Sequence, residues 1–372
     1  MTTEIPTLPT PPERWLHRRL LGWFDLHGRK DLPWQQNPTP YRVWVSEIML
    51  QQTQVNTVIP YYQRFMTRFP DLAALGAATT DEVLHLWSGL GYYARGRNLH
   101  RAAQIIIDEY GGHFPDNIAD LSELPGIGRS TAGAILALSM HQRQAILDGN
   151  VKRVLARFAA IDGWPGRTEV QKRLWQLADH HTPTERVADY TQAIMDLGAT
   201  LCSRSRPACE RCPLSAHCLA HQLGRTHEYP SPKPRKTLPV RQAQLLILEN
   251  EDGHILLQQR PPSGIWGGLW SLPEYSGEDG DNIDDWARRQ LGYAITLTGT
   301  GEPLRHTFSH FHLDITPVLA RVNLTIRVMD DDRQLWYNAA NPGSVGIAAP
   351  INKLLGQVCT TASTDSHEEV SE

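Results

Sequence analysis

From about residue 13 to residue 221, apolar positions recur three and four residues apart, and that spacing predicts one helix after another. Thr39-Pro40, a capping hydroxyl followed by a proline suited to a first turn, starts a helix over 41–51. Further helices are predicted over 60–69, 80–90, 97–110, 130–139, 151–160, 170–180 and 184–201, with Pro70 and the pair Gly89 and Gly91 as stops. Residues 222–241 hold four prolines (Pro230, Pro232, Pro234, Pro239) and five basic side chains, which predicts an extended linker. Beyond the linker the period changes. Strands are predicted over 244–249, 254–259, 308–320 and 326–329, with a helix over 284–291. The expected fold class is a mainly α region at 13–221 followed by an α+β domain at 242–356, with residues 1–12 and 357–372 as disordered ends.

At 372 residues the chain is long enough for two or three cores. No apolar run matches a membrane span and the first residues lack a signal-peptide core, so a cytoplasmic protein without a membrane partner is expected. The net charge of −4 argues against a polyanionic partner until it is divided along the chain. Residues 1–221 carry 23 basic and 21 acidic side chains, 222–241 carry five and one, and 242–372 carry eight and 18. The first part and the linker can therefore hold a duplex while the acidic domain makes few phosphate contacts.

The stretch from Leu124 to Arg153 concentrates the candidate chemistry. Pro125, Gly126 and Gly128 form a turn whose glycines suit positive φ, and Ser130 opens a small, apolar helix behind it. A glycine turn that feeds a helix start presents free N–H groups to an anion such as phosphate. Asp148, just ahead of the 151–160 helix, lies at the positive end of a helix dipole, where it is expected to stay ionised. Glu47, mid-helix among Trp44, Ile48 and Leu50, is in an apolar setting that would raise its pKa. Cys202, Cys209, Cys212 and Cys218 follow as C-x6-C-x2-C-x5-C. In a cytoplasmic chain four such thiols favour a metal, and they suit zinc or an iron–sulfur cluster.

With hairpin, aspartate and cysteines in this order, the chain resembles the helix-hairpin-helix, iron–sulfur DNA glycosylases of the endonuclease III superfamily. Within them it is similar to the adenine-removing family. The stretches LPWQ (32–35), SEIMLQQTQV (46–55), GLGYYARGRNL (89–99), ILDGNVKRVLAR (146–157) and HTFSHFHLDI (306–315) carry the closer match. The resemblance implies a 4Fe–4S cluster on the four cysteines at 202–218 and a helix-hairpin-helix at about 120–140. It also implies excision of adenine mispaired with 8-oxoguanine or guanine in duplex DNA, by a monomer. In the roles it implies, Glu47 protonates the base, Asp148 stabilises the sugar cation, and Asn150 supports Asp148. Pro125, Gly126, Gly128 and Ser130 bind DNA, Gln52 and Tyr92 are wedges at the flipped base, and Lys30, Trp34 and Gln192 surround the adenine. Relatives with lyase activity place a lysine at the hairpin position where this chain has Ser130, so a monofunctional, water-using enzyme is expected.

In the second domain GIWGGLWSLPE (264–274) resembles the opening of the Nudix hydrolase fold, but YSGEDGDNIDDWARRQLGY (275–293) lacks that family's glutamate-rich catalytic pattern. A Nudix-like domain without hydrolase activity is expected. The resemblance assigns 8-oxoguanine reading to Phe308, Ser309 and His310. Strict alternation puts Ser309 on the apolar face with Phe311, Leu313 and Ile315, so it reaches solvent only from a turn at the strand's edge. Two other readings compete: a lyase-active pyrimidine glycosylase, and a non-catalytic iron–sulfur protein that binds DNA or carries electrons. Ser130 and the second domain oppose the first, and the Glu47/Asp148 pair opposes the second.

Overall fold

The computed structural model of the chain describes residues 14–234, 237–277, 282–325, 333–339, 341–343 and 345–365. Its helices begin with α1 (Trp15–His27), α2 (Pro40–Leu50), α3 (Val55–Arg68), α4 (Leu72–Gly76), α5 (Thr80–Trp87) and α6 (Ala94–Tyr110). They continue with α7 (Ile118–Glu123), α8 (Arg129–Met140), α9 (Gly149–Phe158), α10 (Thr168–His181), α11 (Val187–Thr200) and α12 (Leu219–Gln222). The strands are β1 (Val240–Glu249), β2 (Ile255–Gln259), β3 (Trp270–Ser271), β4 (Glu274–Tyr275), β5 (Tyr293–Thr300), β6 (Leu304–Thr307), β7 (His312–Thr325) and β8 (Gln334–Tyr337). Helix α13 (Ile283–Gln290) precedes β5, and α14 (Ala349–Asp365) follows β8.

By their contacts these residues divide into two compact units, one drawn from Met1–Ala77 and Arg101–Arg235, the other from Ala78–His100 and Lys236–Glu372. The first unit is helical. Thr39 caps α2 by accepting from the Arg42 N–H, with Pro40 in the first turn, as its sequence predicts. Helix α2 packs on α8, and α9 packs on α11. The core around α9 buries Val151, Val154, Leu155 and Phe158 against Leu174, Tyr190, Ile194 and Leu197. Burial of this apolar surface at about 25 cal/mol per Å² is what holds these helices together.

In the second unit the sheet runs in the order β3-β2-β1-β7-β5, with β4 on β1, β6 on β7 and β8 on β2. Strands β1 and β7 are parallel, Val240 facing His312 and Glu249 facing Arg321. Residues 245–248 of β1 are buried on both faces, as a central parallel strand requires. Leu246 and Leu248 pack with Val318 and Ala320 against Ala287 and Leu291 at α13. This unit also contains α5 and the start of α6. Asp81 on α5 accepts from Gln259 Nε2 at 3.2 Å and Trp270 Nε1 at 3.4 Å, and Arg97 Nη1 donates to the Gly267 carbonyl.

Helices α1, α4 and α7 and strands β5, β6 and β8 are among the elements that the sequence reading did not single out, and the structure departs from it elsewhere as well. Helix α3 begins at Val55, so Pro60 lies inside it instead of starting it; Val58, Tyr62 and Phe65 bury one face, and this anchors the helix despite one missing N–H. The linker is not extended throughout 222–241. Tyr229 is buried against Ala160 and Ala220, and Ser231 Oγ accepts from the Gly163 N–H at 3.2 Å. The tail is helical as far as Asp365, because α14 continues past the buried Leu354 and Leu355. Ser309 is exposed, since β7 starts at His312 and residues 308–311 form a turn. The predicted lead at 1–12, the strand at 326–329 and residues 366–372 lie outside the described residues. Among the described residues no helix is long and apolar enough to cross a membrane.

Candidate active site and cysteine loop

Two acids meet in the first unit. Glu47 comes from α2, and Asp148 is the N-cap residue of α9, its Oδ1 accepting from the Val151 N–H at 2.7 Å. Both are partly buried. Burial pushes the Glu47 carboxyl up to about 8, and the negative charge of Asp148 pushes in the same direction. Burial also raises Asp148, which corrects the expectation that a helix terminus alone keeps it ionised. There the push is opposed by the N–H groups of Val151 and Asn150 and by the charges of Arg153 and Lys152. Nothing comparable opposes it at Glu47, so the pair favours the proton on Glu47 and the charge on Asp148.

The segment that delivers Asp148 is pinned to the hairpin. Gly126 has φ +80° and makes the turn, while Gly128 has ordinary φ of −94° and serves as the N-cap of α8, with no side chain capping that helix. A Cβ at Gly128 would meet nothing within 4 Å, so the chain itself does not demand glycine there. At Gly133 a Cβ would meet the Ala145 carbonyl at 2.6 Å, so this glycine permits the close approach of residues 145–147 to α8. Ser130 is occupied in the same contact: its Oγ accepts from the Leu147 N–H at 2.9 Å, one residue before Asp148.

The other end of the arrangement is the cysteine loop. Arg153, one turn into α9, donates to Asn150 Oδ1 at 2.8 Å, to the Gly198 carbonyl at 2.7 Å and to the Cys202 carbonyl at 2.7 Å. Arg157, one turn further, is buried and donates to Cys202 Sγ at 3.3 Å and to the carbonyls of Ser203, Arg204, Thr226 and Tyr229. Sequence reasoning did not single out either arginine, although their four-residue spacing puts both on one helix face. Among the described residues no group of three His, Cys, Asp or Glu side chains is disposed to hold a metal ion. The four cysteines are unpaired and line one small pocket together with Arg157, Leu201 and Ala208. Burial raises the Cys209 thiol and pushes Cys212 up to about 12 and Cys218 up to about 11. Four cysteine sulfurs in one loop are a donor set that suits zinc or an iron–sulfur cluster.

The remaining candidates are distributed between the units. In the first, Trp34 is buried edge-on to Tyr62 at 5.4 Å. Gln192 is buried and donates to Asp196 Oδ1 at 2.8 Å. Asp196 is also held by the Arg29 guanidinium, and the exposed Lys30 donates to the Asp25 carbonyl at 2.8 Å instead. Arg29, not Lys30, is thus the basic residue bound into the Gln192 network. Gln52, in the first unit, and Tyr92, in the second, are exposed and both have left-handed backbone, φ +60° and +48°. Such strain is retained at functional positions more often than elsewhere. In the second unit the Phe308 N–H donates to the Phe311 carbonyl at 2.9 Å, which closes a turn with Ser309 and His310 exposed at its tip. Phe308 stacks on Phe311 at 4.6 Å and packs against Trp266 at 5.8 Å.

Comparison with known proteins agrees with this architecture. Residues 45–180 match the HhH-GPD superfamily of base excision DNA repair proteins, and residues 244–357 match the NUDIX domain. The adenine DNA glycosylase of Buchnera aphidicola subsp. Acyrthosiphon pisum (strain APS) is 40% identical over 337 residues, 90% of this chain and 95% of that protein. The adenine DNA glycosylase of Homo sapiens is 37% identical over 79% of this chain and 64% of its own length. Among solved structures, a thermostable thymine-DNA glycosylase is 26% identical with a TM-score of 0.50, covering 57% of this chain and 97% of its own.

A protonated Glu47 predicts a single basic limb in the pH profile of the chemical step. Single-turnover base excision should fall as pH rises through about 8, because the acid form is lost there. Glu47→Gln should lower the rate by at least about 10²-fold and leave no such limb. Rates measured from about pH 6 to about pH 10 check both, and a mutant rate near that of the native enzyme would contradict the assignment.

Proposed function

The chain belongs to the adenine DNA glycosylase family and is a DNA N-glycosylase of base excision repair, and we propose that its substrate is adenine mispaired with 8-oxoguanine or guanine, removed by hydrolysis without strand cleavage. The observation that carries this reading is the carboxyl pair. Glu47 holds a proton at neutral pH while Asp148 beside it has four influences favouring its charge. Glu47 gives its proton to N7 of the flipped adenine, and the electron pair of the C1′–N9 bond leaves with the base. The Asp148 carboxylate stabilises the cation left on the sugar, and a water adds to C1′ as Glu47 takes its proton. Free adenine and an abasic site result.

Ser130 supports the monofunctional reading. Lyase chemistry needs an amine nucleophile, and this position carries a hydroxyl that accepts from the Leu147 N–H. The open space at Gly128 and the uncapped start of α8 suit a DNA phosphate approaching the backbone, with Pro125 and Gly126 shaping the turn. Gln52 and Tyr92 fill the gap left by the flipped base, at a cost of about a few kcal/mol for unstacking. Trp34 and Gln192 line the adenine pocket together with Lys30. Cys202, Cys209, Cys212 and Cys218 would hold a 4Fe–4S cluster, which when bound staples the loop to α9. Ser309 offers both donor and acceptor to the 8-oxoguanine edge, where oxidation adds an N–H and a carbonyl. Phe308 and His310 flank it.

Three measurements test this reading. Incubated with a labelled 8-oxoguanine:adenine duplex, the protein should yield strand breaks only after alkali, and borohydride should trap no strong covalent adduct. Breaks before alkali would favour a lyase. Fresh protein should be yellow-brown with a broad absorbance near ~400 nm and contain iron and sulfide, and Cys212→Ala should reduce soluble yield. Stoichiometric zinc without iron would exclude the cluster. Ser309→Ala should lose about 1–3 kcal/mol of the preference for 8-oxoguanine over guanine opposite adenine, read from paired single-turnover rates. An unchanged preference would remove Ser309 from lesion reading.

A further inference from the structure

Residues 88–93, which follow α5, form a tight loop with φ +97° at Gly89, +69° at Gly91 and +48° at Tyr92. Tyr92 is 53% exposed at its crest. The two ends of the loop converge on one acceptor: Ser88 Oγ donates to the Ile347 carbonyl at 3.2 Å, and Tyr93 OH donates to the same carbonyl at 3.4 Å. Within the loop, Trp87 Nε1 donates to the Gly91 carbonyl at 3.3 Å, and Arg95 Nη2 donates to the carbonyls of Leu90 and Gly91 at 3.0 and 3.2 Å. Ile347 is itself bridged to Trp270 of β3, whose N–H donates to the Gly346 carbonyl at 2.9 Å. Three residues before β3 is Gly267, the acceptor of Arg97, and next to it Trp266 packs on His306 and Phe308 at 5.9 and 5.8 Å.

A continuous set of contacts within one compact unit therefore runs from the Phe308–His310 turn to the loop bearing Tyr92. We propose that Ser88 and Tyr93, through the Ile347 carbonyl, are positioning residues that hold Tyr92 in register with the lesion-reading turn, so that engagement of 8-oxoguanine and insertion of Tyr92 occur as one event. This rests on the reading of Tyr92 as a wedge. Opposite guanine the turn makes fewer contacts, so a loosened loop costs less there. The anchors thus set preference between the two mispairs, not the rate of bond cleavage.

The test uses the full-length, cluster-loaded protein and four forms: native, Ser88→Ala/Tyr93→Phe, Tyr92→Ala, and the combination. Hydrogen exchange over residues 88–96 of the free protein reads the anchor directly, and single-turnover excision on paired duplexes reads preference. The anchor variant should exchange faster in that segment and lose about tenfold of its 8-oxoguanine preference, as expected for two hydrogen bonds. Excision opposite guanine should change far less than that, because neither anchor touches the reacting groups. In the Tyr92→Ala background the anchor substitutions should change preference no further. Unchanged exchange, unchanged preference despite faster exchange, or full additivity with Tyr92→Ala would each overturn the proposal. If Tyr92→Ala itself keeps the native preference, the wedge reading fails, and the coupling to preference falls with it even where exchange shows the anchor to be real.

Discussion

The Val151 N–H donates to Asp148 Oδ1 at 2.7 Å, and the carboxylate that starts α9 is the same one left charged beside Glu47. A helix cap of this kind contributes about 0.5–2 kcal/mol to folding. It also supplies the difference between two partly buried acids on which the chemistry depends. Without those N–H groups and the charges of Arg153 and Lys152, burial would favour a proton on either carboxyl, and the pair would lose its division of labour. The remainder of the first unit places this cap. Ser130 and Gly133 dock the segment before it on α8, and Arg153 and Arg157 tie the helix behind it to the cysteine loop. A change in the loop that moves Cys202 therefore acts on Asn150 through a single guanidinium.

Most of the long helices could be read from the sequence because each has a periodic apolar face and local punctuation such as Thr39-Pro40; strands were legible at 244–249 and 308–320, but their parallel pairing was not. Glu47, Asp148 and the cysteines were visible as residue types at particular spacings. The protonation logic of Asp148 was not visible, because it depends on how deeply the cap is buried, and sequence position reports only the helix terminus. The linker misled for a related reason. Its prolines and charges describe an extended chain, while Tyr229 and the carbonyls that receive Arg157 fasten its first half to the helical unit. Arg29 carries no signal in the sequence, because only the fold brings it to the buried Asp196, while its neighbour Lys30 bonds to the Asp25 carbonyl.

Chain order and packing also diverge at residues 78–100. The stretch lies within the segment matched by the helical repair family, yet it packs with the strand-bearing unit, sharing hydrogen bonds at Asp81, Ser88, Tyr93 and Arg97. Deleting everything after the linker would strip these partners from the loop that carries Tyr92. A truncated protein would then report loss of lesion reading and loss of wedge support together, which makes single substitutions in the turn and the anchors the cleaner separation.

At neutral pH one proton is shared unequally by two carboxyls, held on Glu47 and absent from Asp148. Infrared difference spectroscopy of the protonated carboxyl stretch measures it directly. One band should titrate with a midpoint of about 8. It should vanish in Glu47→Gln and survive in Asp148→Asn, where the cap is kept but the neighbouring charge is gone, with a lower midpoint. A band that persists in Glu47→Gln and disappears in Asp148→Asn would place the proton on the other acid and contradict the account.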